Sequence, residues 1–215
     1  MNKQITIEEA VAKIKDGMTI MVGGFLANGT PNKILDALSE SNVKNLTVIA
    51  NDAAFSNKGV GKLFVHKQVK NYIASHIGSN ELIQEQMNNN EINVTLVPQG
   101  TLAERIRCGG CGLGGVLTKT GMGTIIAEGK EVITVDGEDY LLEKPLRADI
   151  ALIGATKGDT DGNLVYVGTS QNFNPLMAMA ADMVIAGVDN LVNVGEIAPE
   201  AVHTPAILVD YIVKQ

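Results

Sequence analysis

Apolar residues recur at two spacings along this chain, and their alternation predicts a layered α/β fold. Ile7, Ala10, Val11 and Ile14 follow the three-and-four spacing of a helix, and Thr6 and Glu9 stand at capping-box separation in front of it. Asp16-Gly17 closes that segment, and the apolar run 18–22 predicts a short buried strand. A glycine-rich loop follows, with Thr30 expected as N-cap and Pro31 as first residue of a helix that buries Ile34, Leu35 and Leu38. The pattern repeats with strands at 46–50 and 72–74, a helix at 81–87 capped by Ser79, a strand at 92–97 ending on Pro98, and a helix near 101–107. Strands separated by helices imply right-handed crossovers and a parallel sheet.

The second half changes character. Residues 132–135, Asp136-Gly137 and 140–143 predict a hairpin. Residues 150–154 and 164–167 flank a turn-rich segment at 157–163 and predict a second strand pair. A helix is expected near Pro175 and a strand at 183–186. The expectation is therefore α/β, a mostly parallel central sheet flanked by helices with antiparallel additions, in a single domain over 1–215.

Composition narrows the function classes. Of the 215 residues 45% are hydrophobic and only 4% aromatic, with no Trp, so the core must be aliphatic, as buried parallel strands prefer. That content excludes a disordered chain or a disulfide scaffold. Seventeen basic against 24 acidic residues give −7 with no block of like charge, which argues against a nucleic-acid-binding face. No apolar leader opens the chain, and the longest uncharged run, 162–181, is broken by Asn and Pro. A cytoplasmic protein with no membrane partner is expected.

The best candidate site is the loop Gly23, Gly24, Phe25, Leu26, Ala27, Asn28 and Gly29 between the first strand and its helix. There, backbone N–H groups can approach a ligand and the helix N-terminus favours negative charge. It matches neither the dinucleotide fingerprint nor the Walker A loop. Cys108-Gly109-Gly110-Cys111 has redox or zinc spacing, but one pair gives two ligands and no histidine pairing completes a set. It is expected to be a glycine loop in which Cys packs as a small apolar residue, with no metal bound. Asp159-Thr160-Asp161-Gly162-Asn163 lacks the last acidic ligand of a calcium loop, Ser170 standing in its place, so a turn is expected. His66, His76 and His203 show no catalytic pattern, and no Ser nucleophile elbow is present.

Read together, 16–25, Gly29 and Pro31, Asn51-Asp52, Ser75-His76-Ile77-Gly78, the segment 97–107, Thr120-Gly121-Met122-Gly123-Thr124, Asn172-Phe173-Asn174-Pro175 and His203-Thr204-Pro205 resemble the α subunits of family I CoA transferases. The likeness runs in order through nearly the whole chain and is greatest to the acetate/acetoacetate type. It implies the NagB-RpiA-like CoA-transferase fold and movement of CoA between an acyl-CoA and a short-chain carboxylic acid, with CoA a substrate and no cofactor. The resemblance assigns CoA binding to residues 23–29, oxyanion stabilisation to Gln99, and supporting places to Gly100 and Pro31. It puts the nucleophilic glutamate in a Ser-Glu-Asn-Gly-like motif of a β subunit, which this chain lacks; Glu128-Gly129 and Gly195-Glu196 have the wrong neighbours. An α2β2 assembly, inactive without β, is the expectation. The alternative is a non-catalytic sugar-phosphate-binding module on a similar scaffold.

Overall fold

The structure is a computed structural model and describes residues 2–215. Its elements run α1 (Ile7–Val11), β1 (Thr19–Val22), α2 (Asn32–Ser39), β2 (Leu46–Ala50), α3 (Gly61–Val65), β3 (Val69–Ala74), α4 (Glu81–Asn88), β4 (Asn93–Leu96) and α5 (Gln99–Gly110). Then come β5 (Val116–Thr118), β6 (Val132–Val135), β7 (Glu138–Glu143), β8 (Ala148–Asp159), β9 (Leu164–Val165), α6 (Asn174–Met179), β10 (Ala181–Val192) and β11 (Tyr211–Lys214). The main sheet has the order β11-β10-β8-β1-β2-β3-β4, parallel throughout, with β9 antiparallel beside β8.

That order explains the layering. Crossovers from β1 outward to β4 carry α2, α3 and α4 onto one face; once the chain returns past β1 to β8, the same handedness puts α5 and α6 on the other. The buried residues divide accordingly. Ile20, Val22, Val48, Ala50, Tyr72 and Leu152 meet Ile34, Leu38, Phe64 and Ile83 on the first face, and Met21, Ile49, Ile153 and Ala186 meet Leu102, Ile106 and Met177 on the second.

The antiparallel additions are as expected. β6 and β7 form the predicted hairpin, with Asp136 (φ 52°) and Gly137 (φ 81°) both in the left-handed region that its two-residue turn demands. β5 pairs on the other side of β7. The segment 159–163 is a turn: Asp159 is buried and accepts the N–H groups of Asp161, Gly162 and Asn163, as well as Asn163 Nδ2.

Several local expectations need correction. The capping box at Thr6 is present, but α1 ends at Val11. Pro31, not Thr30, is the N-cap of α2 and has no side-chain bond to give; Asn80, not Ser79, holds the N-cap position of α4, without a side-chain bond to the helix, and the Ser79 hydroxyl donates to Ala54 O. The Cys108–Cys111 stretch is not a loop. It is the last turn of α5, with Cys108 buried, Cys111 exposed at the C-cap and both thiols free. The two glycines are there for close approach: a Cβ on Gly109 would lie 1.9 Å from Leu146 O, and one on Gly110 2.5 Å from Met179 Cβ. Among the described residues no cluster of three His, Cys, Asp or Glu could hold a metal ion, and no helix is long and apolar enough to cross a membrane.

Candidate active site

In a sheet of this order the chain turns back between β1 and β8, and ligands of open α/β sheets bind beyond the carboxyl ends of strands at such a point. The loop after β1 lies there. The Gly23 N–H extends the ladder to Leu152 O (3.0 Å), and the chain then folds into a tight turn in which Phe25 and Asn28 exchange backbone bonds of 3.0 and 2.9 Å. The two residues at its tip, Leu26 (φ 48°) and Ala27 (φ 63°), are left-handed without being glycine, a conformation that persists only where neighbours enforce it.

The enforcement comes from both sides. Asp52, at the end of β2, takes the Leu26 N–H on both carboxylate oxygens (3.2 and 3.1 Å) and the Ala54 N–H at 2.7 Å. Across the loop, Asn172 Oδ1 accepts from Gly24 N (3.0 Å) and Asn172 Nδ2 donates to Asn28 O (3.1 Å). Asn174 is fully buried; its Nδ2 donates to Gly29 O (2.9 Å) and Ser170 O (2.8 Å), and its Oδ1 accepts Gly154 N (3.1 Å). The glycines make room for these contacts. A Cβ at Gly23 would stand 1.7 Å from Asn174 Oδ1, one at Gly24 1.8 Å from Thr30 Oγ1, and one at Gly29 2.4 Å from Ser170 O. Gly24 (φ 128°) and Gly29 (φ 69°) also need the left-handed backbone.

A second turn of the same kind follows β2, with Phe55 and Lys58 bridged as Phe25 and Asn28 are. Its Gly59 lies against Ala27: a Cβ there would be 3.3 Å from that of Ala27. Phe25 and Phe55, which open these neighbouring turns, are each nearly half exposed.

Gln99 is the first residue of α5, at the positive end of the helix dipole. Its Nε2 donates to Asn51 Oδ1 at 2.8 Å, and the Ser75 hydroxyl donates to the same oxygen at 2.8 Å. Asn51 Nδ2 in turn donates to Asp52 Oδ2 at 2.9 Å. The direction of this relay is fixed by chemistry. An ionised carboxylate only accepts, so the Asn51 amide must turn its NH2 to Asp52 and its oxygen to Gln99, and Gln99 must answer with its NH2. A glutamine amide has two hydrogens; one is spent on Asn51, and the other is the donor it can offer a ligand. The buried charge of Asp52 is felt nearby: burial, aided by that charge, holds the Tyr72 hydroxyl well above the usual tyrosine range.

Phe25, Gln99 and Gly100 line a cleft of about 550 Å³ together with Asn51, Ala103 and residues of the 169–176 segment. Ala27, Asn28 and Gly29 face elsewhere, into a smaller polar hollow of about 260 Å³ shared with Gly154, Thr156 and Ser170. Gly23 and Gly24 are buried beneath the loop, and Pro31 lies against β10, 2.9 Å from where a Cβ on Gly187 would be. The predicted loop is thus one object with two faces. Sequence reasoning did not assign Asn51, Asp52, Ser75, Asn172 or Asn174 to the site, although the resemblance rests on segments that contain them. The usable signal was polar residues directly after apolar strands, at the edge where parallel sheets bind ligands.

Known proteins agree with this architecture. The sequence profile of the Coenzyme A transferase family matches residues 4–215. Over 98% of this chain and 96% of its own length, the acetate CoA-transferase subunit alpha of Escherichia coli is 52% identical. The acetoacetyl-CoA:acetate/butyrate CoA transferase alpha subunit of Clostridium acetobutylicum is 54% identical over 100% of this chain and 98% of its own. Among solved structures, an acyl-CoA transferase apoenzyme from Escherichia coli O157:H7 superposes with a TM-score of 0.87 at 23% identity, over 99% of this chain, which spans 46% of that longer one. The chain belongs to the coenzyme A transferase family.

Proposed function

We propose that this chain, acting as one domain over residues 1–215, is the α subunit of a cytoplasmic heteromeric enzyme that moves CoA between a short-chain acyl-CoA, acetyl or acetoacetyl in type, and a free carboxylic acid. The observation that carries the reading is the orientation of Gln99. Its amide is held at the cleft by Asn51, with one hydrogen committed and one available where a thioester oxygen would gain charge. Among the described residues that line the cleft there is no carboxylate to attack the thioester. The family resemblance gives the covalent step to a glutamate of a β subunit: its carboxylate attacks the thioester carbonyl and expels CoA thiolate, leaving an acyl–glutamyl anhydride, and the thiolate then attacks the glutamyl carbonyl and releases the acid, leaving an enzyme–CoA thioester that the incoming acid takes back through the same steps. This chain then supplies three things: the oxyanion donor, the glycine loop beside the CoA, and one wall of the acyl cleft. CoA enters as a substrate, and an α2β2 assembly would bring the two halves together.

The test is to purify the chain alone and together with its β subunit and follow exchange of label from acetate into acetyl-CoA. Exchange is expected from the pair and not from this chain by itself. Robust exchange by the isolated chain would refute the divided site.

A further inference from the structure

We propose that Gly100 and Ala103, on one face of the opening turns of α5, limit the size of the acyl group that the cleft admits; the inference rests on the CoA-transfer reading above. Three observations converge on them.

First, Gly100 has no local reason to be glycine. It is the second residue of a helix and its φ is not left-handed, so no backbone conformation there requires glycine. A Cβ placed on it would meet no atom within 4 Å, whereas Gly109 and Gly110 of the same helix are hemmed in by backbone and side-chain atoms. Gly100 is exposed and lines the cleft.

Second, the spacing is right. Gly100 and Ala103 are three apart and Gln99 and Ala103 four apart, so all three share a helix face. Opposite them the cleft is walled by Phe173 and Leu176 near the start of α6, which packs against α5. Two small residues on one wall and two large apolar ones on the other define a slot.

Third, the cleft offers both a polar anchor and apolar wall. Asn51 and the amide of Gln99 mark where a thioester carbonyl would be held, and Phe25, Ala103, Phe173 and Leu176 give the cleft apolar lining beside the polar Thr169 and Asn172. An acyl tail anchored by its carbonyl would run between Ala103 and Leu176. A methyl on Gly100 would crowd the carbons next to the carbonyl; a larger side chain at 103 would block those farther along.

The experiment uses the complex with the β subunit and compares kcat/KM for acetyl-CoA, butyryl-CoA and isobutyryl-CoA with acetate as acceptor, alongside the melting temperature. Ala103→Leu is expected to lower the butyryl-to-acetyl ratio of kcat/KM at least tenfold, within the 10- to 200-fold range of about one methylene's worth of pocket. Gly100→Ala is expected to reduce the isobutyryl-to-acetyl ratio while the melting temperature holds or rises, since the new methyl displaces nothing in the protein. A purely structural role would move all three substrates together and lower the melting temperature. Unchanged ratios in both variants would overturn the proposal. Wild-type complex that exchanges no CoA at all would overturn the functional reading and this inference with it, and so is distinguishable. Should the leucine variant fail to assemble, Ala103→Val and Gly100→Ala decide by the same ratios.

Discussion

Replacing Gly23 by alanine tests why the loop after β1 needs its first glycine. Gly23 has no left-handed φ, so backbone strain is not the reason. The added Cβ would lie 1.7 Å from Asn174 Oδ1 and 2.7 Å from its Cγ, so the Asn174 carboxamide must leave its place. Leaving breaks its bonds to Gly154 N, Gly29 O and Ser170 O, all to buried or half-buried backbone. Each buried polar group left without a partner costs about 1–3 kcal/mol. With some repair by water the total should be about 3–5 kcal/mol, in the upper range for single substitutions. At roughly 2–4 °C per kcal/mol for a chain of this size, the melting temperature should fall by roughly 6–20 °C. Asn174→Ala removes the same bonds and should cost a similar amount. In the double variant the methyl introduced by Gly23→Ala takes the space vacated by the carboxamide. It should then cost hardly more than either single one, a coupling of about 3 kcal/mol. Urea denaturation followed by circular dichroism on all four chains measures this. Additive losses would refute the reasoning, as would a Gly23→Ala chain of wild-type stability with impaired exchange, which would mean that the room is kept for a ligand.

Three further outcomes are expected. Gln99→Ala in the assembled enzyme should slow exchange by about 10²–10³ with little change in stability, since an exposed side chain is lost together with an oxyanion donor; a wild-type rate would remove Gln99 from the site. Asp52→Ala strips the acceptor from Leu26 N, Ala54 N and Asn51 Nδ2, and should cost about 2–4 kcal/mol. Hydrogen exchange at the Leu26 and Ala54 amides should accelerate most, and unchanged protection there would count against the clamp. Tyr166 is buried, and burial pushes its hydroxyl up to about 12, against about 10 in an unfolded chain. The folded state therefore keeps this proton longer, and the associated stability, about 2–3 kcal/mol, is full below pH 10 and lost as pH rises to 12. Tyr166→Phe should flatten that part of the alkaline stability curve, and an identical slope would exclude Tyr166 as its source.

Elements with a strong local signal were legible in the sequence. β1, β2 and the β6–β7 hairpin each carry a continuous apolar run or a turn pair that works without help from the rest of the fold. Elements that depend on partners were not. β8 and β10 each run for 12 residues, far past their apolar centres, because each satisfies the other's backbone out to Val192 and Asp159. β11 forms against β10, and the five residues of α3 are too few to show a period. Gly109 and Gly110 suggested a loop because their reason, the approach of Leu146 and Met179, is distant in sequence. The candidate site followed the same rule. The loop and Gln99 could be named as candidates from the sequence, whereas the relay through Asn51 and Asp52 and the clamp by Asn172 and Asn174 exist only once sheet order brings distant chain segments to one edge.

The central place of β1 also has a consequence in time. It is the first strand of the chain, yet one of its edges pairs with β8, Ile20 opposite Ile150, so 130 residues must be made before that edge can close. At roughly 5–20 residues per second of synthesis, the edge stands open for on the order of ten seconds. Throughout that interval β2 is the only strand beside β1, and Met21 and Ile49 lack the part of their cover that β8, α6 and β10 supply later. A ribosome-bound chain arrested before residue 148 should therefore be a ligand for chaperones that recognise extended apolar backbone, and one arrested well beyond residue 192 should be released from them.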